Sequence, residues 1–448
     1  MHNRTEQFLN DPVFPLLIRM SAPNTIAFFI QAIVVLAEVW FISKLGTTSL
    51  AAVAIAFPII MLTQQMAFGA LGGAVTSSIA RSLGAEDKER AEKLLWHSLL
   101  LSCCGYLLFF LIFFIGGENL LMALGGEGLL LEESLLYIKI FLTGAIFIWL
   151  SGMLSAALRG IGNMRFPALL MIAGSGIQVI LAGGLILGWF GLPKLGIIGA
   201  PLSAISVAAL MAIVMILKFM HSSSNVQLKL SNLSFKKELF RDIFNVALPA
   251  SLAPIFTVGT ILILTGLVGQ FGVSALAGYG IGSRIEFLMI PLVFGIGTAM
   301  TTMVGTNIGA KKVERAERIG WLGGSFAGLF SGMIGLMLIL SSSYWINFFA
   351  TDQATYEVTK QYIEIVGLCF TFQGLGLSLY FASQGANAMK WPIIATVIRF
   401  VVAALGGWIA VNWFSSGIAG VFYAAASAMT IYGVMLVLSL KLGAWRSN

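Results

Sequence analysis

The sequence predicts an all-α integral membrane protein: twelve transmembrane helices in two pseudo-symmetric lobes of six. Composition, the spacing of apolar runs and an internal duplication each point there. Of 448 residues, 58% are hydrophobic and 10% charged, with mean hydropathy +0.94. A soluble domain carries about 25% charged and 45–50% apolar residues, so an ordinary soluble enzyme, a disordered chain and a small disulfide scaffold are excluded. The 50 glycines and 11 prolines lie among the apolar runs, a mixture membrane helices tolerate better than soluble ones.

A helix crosses the hydrocarbon core with about 20 mostly apolar residues. The first run, 15–41, follows a polar start at residues 1–12 and is too long for a cleavable signal, so it reads as a first span. Runs at 50–79, 94–115, 135–158, 166–187 and 195–219 complete a first half. After a polar stretch, six more lie at 243–268, 276–304, 319–340, 362–383, 392–411 and 417–440. The predicted organisation is an N-lobe at 1–220, a cytoplasmic inter-lobe linker at 221–242 and a C-lobe at 243–448.

The net charge of +7 and pI near 9.3 come from basic residues clustered between the runs. With the N-terminus in the cytoplasm, that side holds Arg81, Lys88, Arg90, Lys93, Arg159 and Arg165 of the first half. It also holds Lys229, Lys236, Lys237 and Arg241, then Lys311, Lys312, Arg315 and Arg318, then Lys390, Lys441 and Arg446. The opposite loops keep Lys44 and Lys194 beside Glu118, Glu127, Glu132 and Glu133. This is the positive-inside pattern, with both termini cytoplasmic. No basic face with base-stacking aromatics is present, so no nucleic-acid partner is expected. Cys103, Cys104 and Cys369 sit in apolar runs without metal-ligand spacing.

The duplication is read from residues. Positions 72–93 read GGAVTSSIARSLGAEDKERAEK and 297–318 read GTAMTTMVGTNIGAKKVERAER. At one constant offset Gly72, Thr76, Gly84, Glu89, Arg90 and Glu92 match Gly297, Thr301, Gly309, Glu314, Arg315 and Glu317. Gly160 and Pro167 match Gly385 and Pro392, and after a one-residue slip Pro23 matches Pro249. Six spans is an even number, so both copies start from the same side. Such parallel repeats occur in secondary transporters that work by alternating access.

No phosphate-binding Gly-x4-Gly-Lys-Ser/Thr loop, His-Glu-x-x-His or paired-aspartate cluster occurs, and His2, His97 and His221 are dispersed. No catalytic residue, metal or cofactor is expected, and transport would draw on an ion gradient. The informative acid is Glu38, deep in the first run. A charged acid in a membrane core costs about 2.5–3.5 kcal/mol or more, so such residues face cavities and suit proton uptake. Asn24 and Gln31 precede it at intervals of seven and share its stripe. The alternative for Glu38 is snorkelling to the outer interface. Gln64 and Gln65 in the second run and Gln178 in the fifth are candidates for lining a cavity or for hydrogen bonding between helices. Arg284 and Glu286, two apart in the eighth run, do not face each other; they read as pairing with neighbouring helices or the cavity wall, as do Glu364 and Arg399.

Taken together, the chain resembles the multidrug and toxic compound extrusion (MATE) family, and its DinF-like branch most. The residues that carry the likeness are Pro23, Ala37-Glu38-Val39, Gly46, Leu50-Ala51-Ala52 and the Gly84-Ala85 loop. In the second half they are Ala275 to Ile281 with Arg284-Ile285-Glu286, then Val304 to Ala310. The resemblance implies a V-shaped pair of six-helix lobes that exports organic cations and drugs against inward H+ or Na+. Three departures bear on the site. The family's first-helix Asp is Glu38 here. The Asn and Asp of helix five in the DinF-like branch align with Gln178 and Ala182. Helix seven lacks the acid of the NorM-like branch, and the tenth-helix acid aligns with Gln373.

Coupling is then expected to rest on Glu38 nearly alone, favouring H+ over Na+, with Glu38 and Gln178 as the Na+ ligands otherwise. Asn24, Gln31, Gln64, Gln65, Gln178, Arg284 and Gln373 are the expected substrate or cavity residues. The expected protein is a monomeric inner-membrane antiporter, held in the bilayer, for amphipathic or cationic small molecules such as drugs and toxins. A lipid-precursor flippase is the alternative. A membrane enzyme lacks a convergent set of groups, and a receptor leaves the duplication unexplained.

Overall fold

The computed structural model describes residues 4–221, 226–350 and 352–446, apart from the side chains of Ile285, Phe287 and Leu288; His2 lies outside it. Twelve helices are long and apolar enough to cross a membrane, and no strand occurs among the described residues. In the first half they are span 1 (Val13–Ser43), span 2 (Thr47–Gly84), span 3 (Lys88–Ala123), span 4 (Gly128–Gly160), span 5 (Arg165–Leu187) and span 6 (Gly196–Met220). In the second they are span 7 (Lys237–Gly269), span 8 (Val273–Gly309), span 9 (Val313–Leu340), span 10 (Gln353–Gly385), span 11 (Lys390–Asn412) and span 12 (Gly417–Lys441). Spans 3 and 10 overrun their apolar runs at both ends. Hydropathy reads the depth of hydrocarbon, whereas the helix continues until a cap or a left-handed residue stops it.

The duplication reaches the backbone. Glu86 and Lys311, at equivalent positions, both leave their helices at φ 60, and Gly162 and Asn387 do so at φ 78 and 56. Thr76 Oγ1 donates to the Ala156 carbonyl at 2.9 Å, and Thr301 Oγ1 donates to the Phe381 carbonyl at 2.9 Å. These bonds tie span 2 to span 4 and span 8 to span 10. Glycine permits that approach: a Cβ on Gly160 would sit 2.9 Å from the Thr76 carbonyl oxygen, and one on Gly385 2.5 Å from that of Thr301. Small residues at membrane-helix contacts act in this way.

The chain packs as two compact units, Ile26–Ala247 and Met1–Thr25 with Leu248–Asn448. These packing boundaries are offset from the lobe boundaries drawn on the sequence, and each falls two residues from a proline, Pro23 or Pro249, inside its helix. In the first unit the stretch from Val226 to Ala247 is docked. Glu92 accepts from Asn232 Nδ2 at 2.6 Å and from the Gln227 backbone N–H at 3.3 Å. His97 Nε2 accepts from the Lys236 backbone N–H at 3.0 Å. Asp242 pairs with Arg81 at 2.5 Å and Arg90 at 3.0 Å.

In the second unit the short helix Arg4–Asn10 is docked instead. The Phe8 carbonyl accepts from Asn307 Nδ2 and Arg315 Nε, both at 3.1 Å. Glu317, equivalent to Glu92, takes Arg446 in a two-pronged pair at 2.8 and 2.7 Å, which holds that guanidinium above the ordinary arginine range. The core of the first unit gathers Phe41, Ile59, Tyr137, Phe141 and Ile186, and that of the second gathers Leu264, Tyr279, Tyr362, Phe370 and Phe422.

The close approach yields a ranked expectation. Gly385→Ala should cost about 1–3 kcal/mol by overpacking, Gly160→Ala somewhat less, and Gly116→Ala nothing, since no atom lies within 4 Å of a Cβ there. Thermal unfolding of the three purified variants in detergent checks the order.

Candidate functional site

In the first unit Glu38 of span 1 lies between helices. Span 1 is apolar around it, so the carboxylate is satisfied from neighbouring spans. Its Oε1 accepts from Gln178 Nε2 of span 5 at 2.8 Å, and Ser203 Oγ of span 6 lies at 3.4 Å. The same Ser203 hydroxyl donates to the Ala200 carbonyl at 2.8 Å. It has one hydrogen for two acceptors, so the contact with Glu38 answers to which oxygen carries the proton. From span 4, buried Tyr137 lies within reach of the Glu38 charge. A second rung lies along the helix, where Gln31 Oε1 accepts from Ser175 Oγ at 3.0 Å. Ser175 and Gln178 are three apart on span 5, and Gln31 and Glu38 are seven apart on span 1, so both rungs join the same two faces.

No cation pairs with Glu38 among the described residues. Lys44, the base at the end of its helix, lies over the Trp40 ring at 5.0 Å. Ala182, at the position aligned with a second acid, is fully buried in the apolar core. No group of three His, Cys, Asp or Glu side chains fit to hold a metal ion occurs among the described residues.

The other expected site residues are dispersed. Asn24 is buried in the second unit, where its Nδ2 donates to Thr298 Oγ1 at 3.2 Å, whereas Gln31 and Glu38 belong to the first. Gln64 is exposed and Gln65 half-buried, and they flank the start of a wide π-helical turn, Gln65–Leu71, within span 2. Such turns are uncommon and recur at functional places. Arg284 is exposed on span 8, whereas Glu286 turns to span 10 and accepts from the Tyr362 hydroxyl at 3.1 Å. Gln373 is buried on span 10, its Oε1 without a hydrogen-bond partner among the described residues. Arg399 of span 11 lies over the Tyr432 ring at 5.3 Å.

Sequence reading missed Tyr137, Ser175, Ser203 and Tyr362. The duplication carried a signal for two of them, because Tyr137 and Tyr362 are equivalent at the constant offset. Removing the better donor to Glu38 gives a direct check. Gln178→Leu should destabilise the protein by about 1–3 kcal/mol, the cost of an unpaired buried acceptor, and Gln178→Asn by less, both read as the shift in detergent melting temperature.

The sequence model of the MatE family matches residues 23–182 and 249–409, one match in each half. Among curated relatives, the Thermotoga maritima protein named probable multidrug resistance protein NorM is 23% identical over 437 residues, 96% of this chain and 93% of its own. The FAD transporter of Shewanella oneidensis is 26% identical over 419 residues, 90% of each chain. The multidrug export protein MepA of Staphylococcus aureus is 26% identical over 438 residues, 95% of each. Among solved structures, a MOP superfamily transporter from Pyrococcus furiosus superposes with TM-score 0.92 at 24% identity, covering 99% of this chain and 98% of the other. An outward-facing multidrug resistance MATE transporter does so at 0.91 and 24%, covering 100% and 99%.

Proposed function

The chain belongs to the MatE family of transporters, and from that premise we propose that it exports amphipathic, chiefly cationic small molecules in exchange for protons, with Glu38 as the proton carrier. It is a multi-pass membrane protein and a transporter rather than an enzyme. Relatives named for multidrug export and for FAD transport favour small organic molecules as the substrates.

One observation carries the proton reading: Glu38 is held by uncharged donors, with no cation as partner among the described residues. A carboxylate so placed is neutralised most simply by a proton. Gln178 turns its Nε2 to Glu38, a donor where a Na+ site asks for oxygen. In the proposed cycle a proton from outside binds Glu38, which loosens its hold on Gln178 and Ser203 and lets spans 1, 5 and 6 repack as substrate leaves. The proton is then released to the cytoplasm. The arrangement proposed is a monomer in the inner membrane, both termini cytoplasmic, as the distribution of Lys and Arg favours.

Efflux of a cationic dye from proteoliposomes under a pH gradient alone, and under a Na+ gradient alone, tests this. We expect pH-driven efflux in the wild type and its loss by at least about tenfold in Glu38→Gln, the ratio that one proton moving down one pH unit represents. Efflux driven only by Na+, or kept in full by Glu38→Gln, overturns the proposal. Absence of solute flux together with lipid scrambling moves it to the flippase reading.

A further inference from the structure

The second unit contains a carboxyl arrangement that parallels the Glu38 site without repeating its sequence. Tyr362 of span 10 is the duplicate of Tyr137 of span 4, and both are buried. Tyr137 is buried in the core cluster that Ala37 and Phe41 of span 1 also join, and Tyr362 donates its hydroxyl to Glu286 Oε2 at 3.1 Å. The acids come from non-equivalent helices, span 1 in one half and span 8 in the other. Each half thus has an intramembrane acid and a buried tyrosine at the duplicated position, and in the second half the two are hydrogen-bonded.

The local chemistry places Glu286 for charge exchange rather than for a fixed ion pair. Gly282, one turn before it, lets the Tyr362 ring lie against span 8, where a Cβ would clash with that ring. Tyr279 and Phe422 pack edge-on to Tyr362 at 5.5 and 5.1 Å and hold its hydroxyl on the carboxylate. Arg399 is near enough for its charge to bear on Glu286, yet the two close no ion pair among the described residues, and its guanidinium lies over Tyr432.

The remaining charged and titratable groups do not take that place. Arg284 lies about 200° round the helix from Glu286 and is exposed, as is Glu364 of span 10. Span 7 beyond Asp242 and span 9 beyond Arg318 carry no titratable side chain. Glu286 is partly exposed. It has a donor, the Tyr362 hydroxyl, on one carboxylate oxygen, and a counter-charge, Arg399, that closes no ion pair with it among the described residues.

We propose that Glu286 is a second proton carrier, one per half of the chain with Glu38, presented by Tyr362 and balanced by Arg399. A proton from one aqueous side binds a Glu286 carboxylate oxygen and later leaves to the other side, with no other bond made or broken. While the proton is bound, the pull of Glu286 on Arg399 is lost and spans 8 and 11 are released from each other. The inference rests on the proton-antiport reading above, and it raises the stoichiometry from one proton to two per substrate.

Stoichiometry is the readout, because a merely structural Glu286 changes rates without changing it. Proteoliposomes are given a pH difference of about one unit with the membrane potential clamped at zero, and the steady-state ratio of ethidium across the membrane is measured. Two protons per ethidium sustain about 100-fold and one proton about tenfold. We expect about 100-fold for the wild type and Glu286→Asp, and about tenfold for Glu286→Gln. A wild type that sustains only about tenfold overturns the inference and leaves the antiport reading standing. So does a Glu286→Gln variant that keeps the wild-type ratio. A wild type with no pH-driven accumulation overturns both. Should Glu286→Gln not fold, protons released per ethidium bound by the purified wild type decide the matter, two in favour and one against.

Discussion

A carboxylate inside an apolar helix bundle has to be satisfied by groups the bundle itself supplies, and in the first half of this protein the arrangement of spans 1, 4, 5 and 6 follows from that. An unpaired buried charge costs several kcal/mol, more than any one packing contact returns. Gln178 and Ser203 meet the carboxylate, and Gln31 with Ser175 repeats the connection along the helix. All of these donors are neutral. The site therefore holds the charged form by hydrogen bonds alone, and a proton can remove the need for them.

The duplication separates scaffold from chemistry. Positions where backbones approach are matched between the halves: Thr76 with Thr301, Gly160 with Gly385, and the left-handed Glu86 with Lys311. Those positions answer to geometry, since a Cβ or a different turn would push two helices apart. The polar positions around the two acids are less well matched. Glu38, Gln178 and Ser203 have no polar counterparts at the offset, and neither have Glu286 and Arg399 in the other direction. The tyrosine of spans 4 and 10 is buried in both halves.

How far the sequence could be read follows from the same division. Apolar runs and the offset made twelve helices and their pairing legible, because both depend on residue type alone. Glu38 and Gln178 were legible because an acid and an amide are costly in such runs. Rotation was not legible. A stripe at sevenfold spacing puts Asn24, Gln31 and Glu38 on one side of a straight helix, but span 1 carries Pro23 and takes part in both units, so Asn24 meets Thr298 while Gln31 and Glu38 meet span 5. Likewise Arg284 and Glu286 were known to face apart, but only packing decides that the glutamate meets Tyr362. Ser175 and Ser203 gave no signal because serine is at home in any membrane helix.

The two acids also differ in how their charge is answered, and the difference has a physical sense. Glu38 has no counter-charge among the described residues, so losing a proton there leaves a net negative site whose cost falls on the hydrogen bonds from Gln178 and Ser203. Glu286 has Arg399 near it, so losing a proton there restores an electrical balance within the second unit. Proton loss at Glu38 would thus strain the first half of the chain, whereas proton loss at Glu286 would relax the second. Two identical sites could not do this, because each step would favour or oppose the same form in both halves. The polar surroundings of the two acids are free to differ while the backbone contacts stay duplicated, and the scaffold carries differently balanced acids on non-equivalent helices, span 1 and span 8.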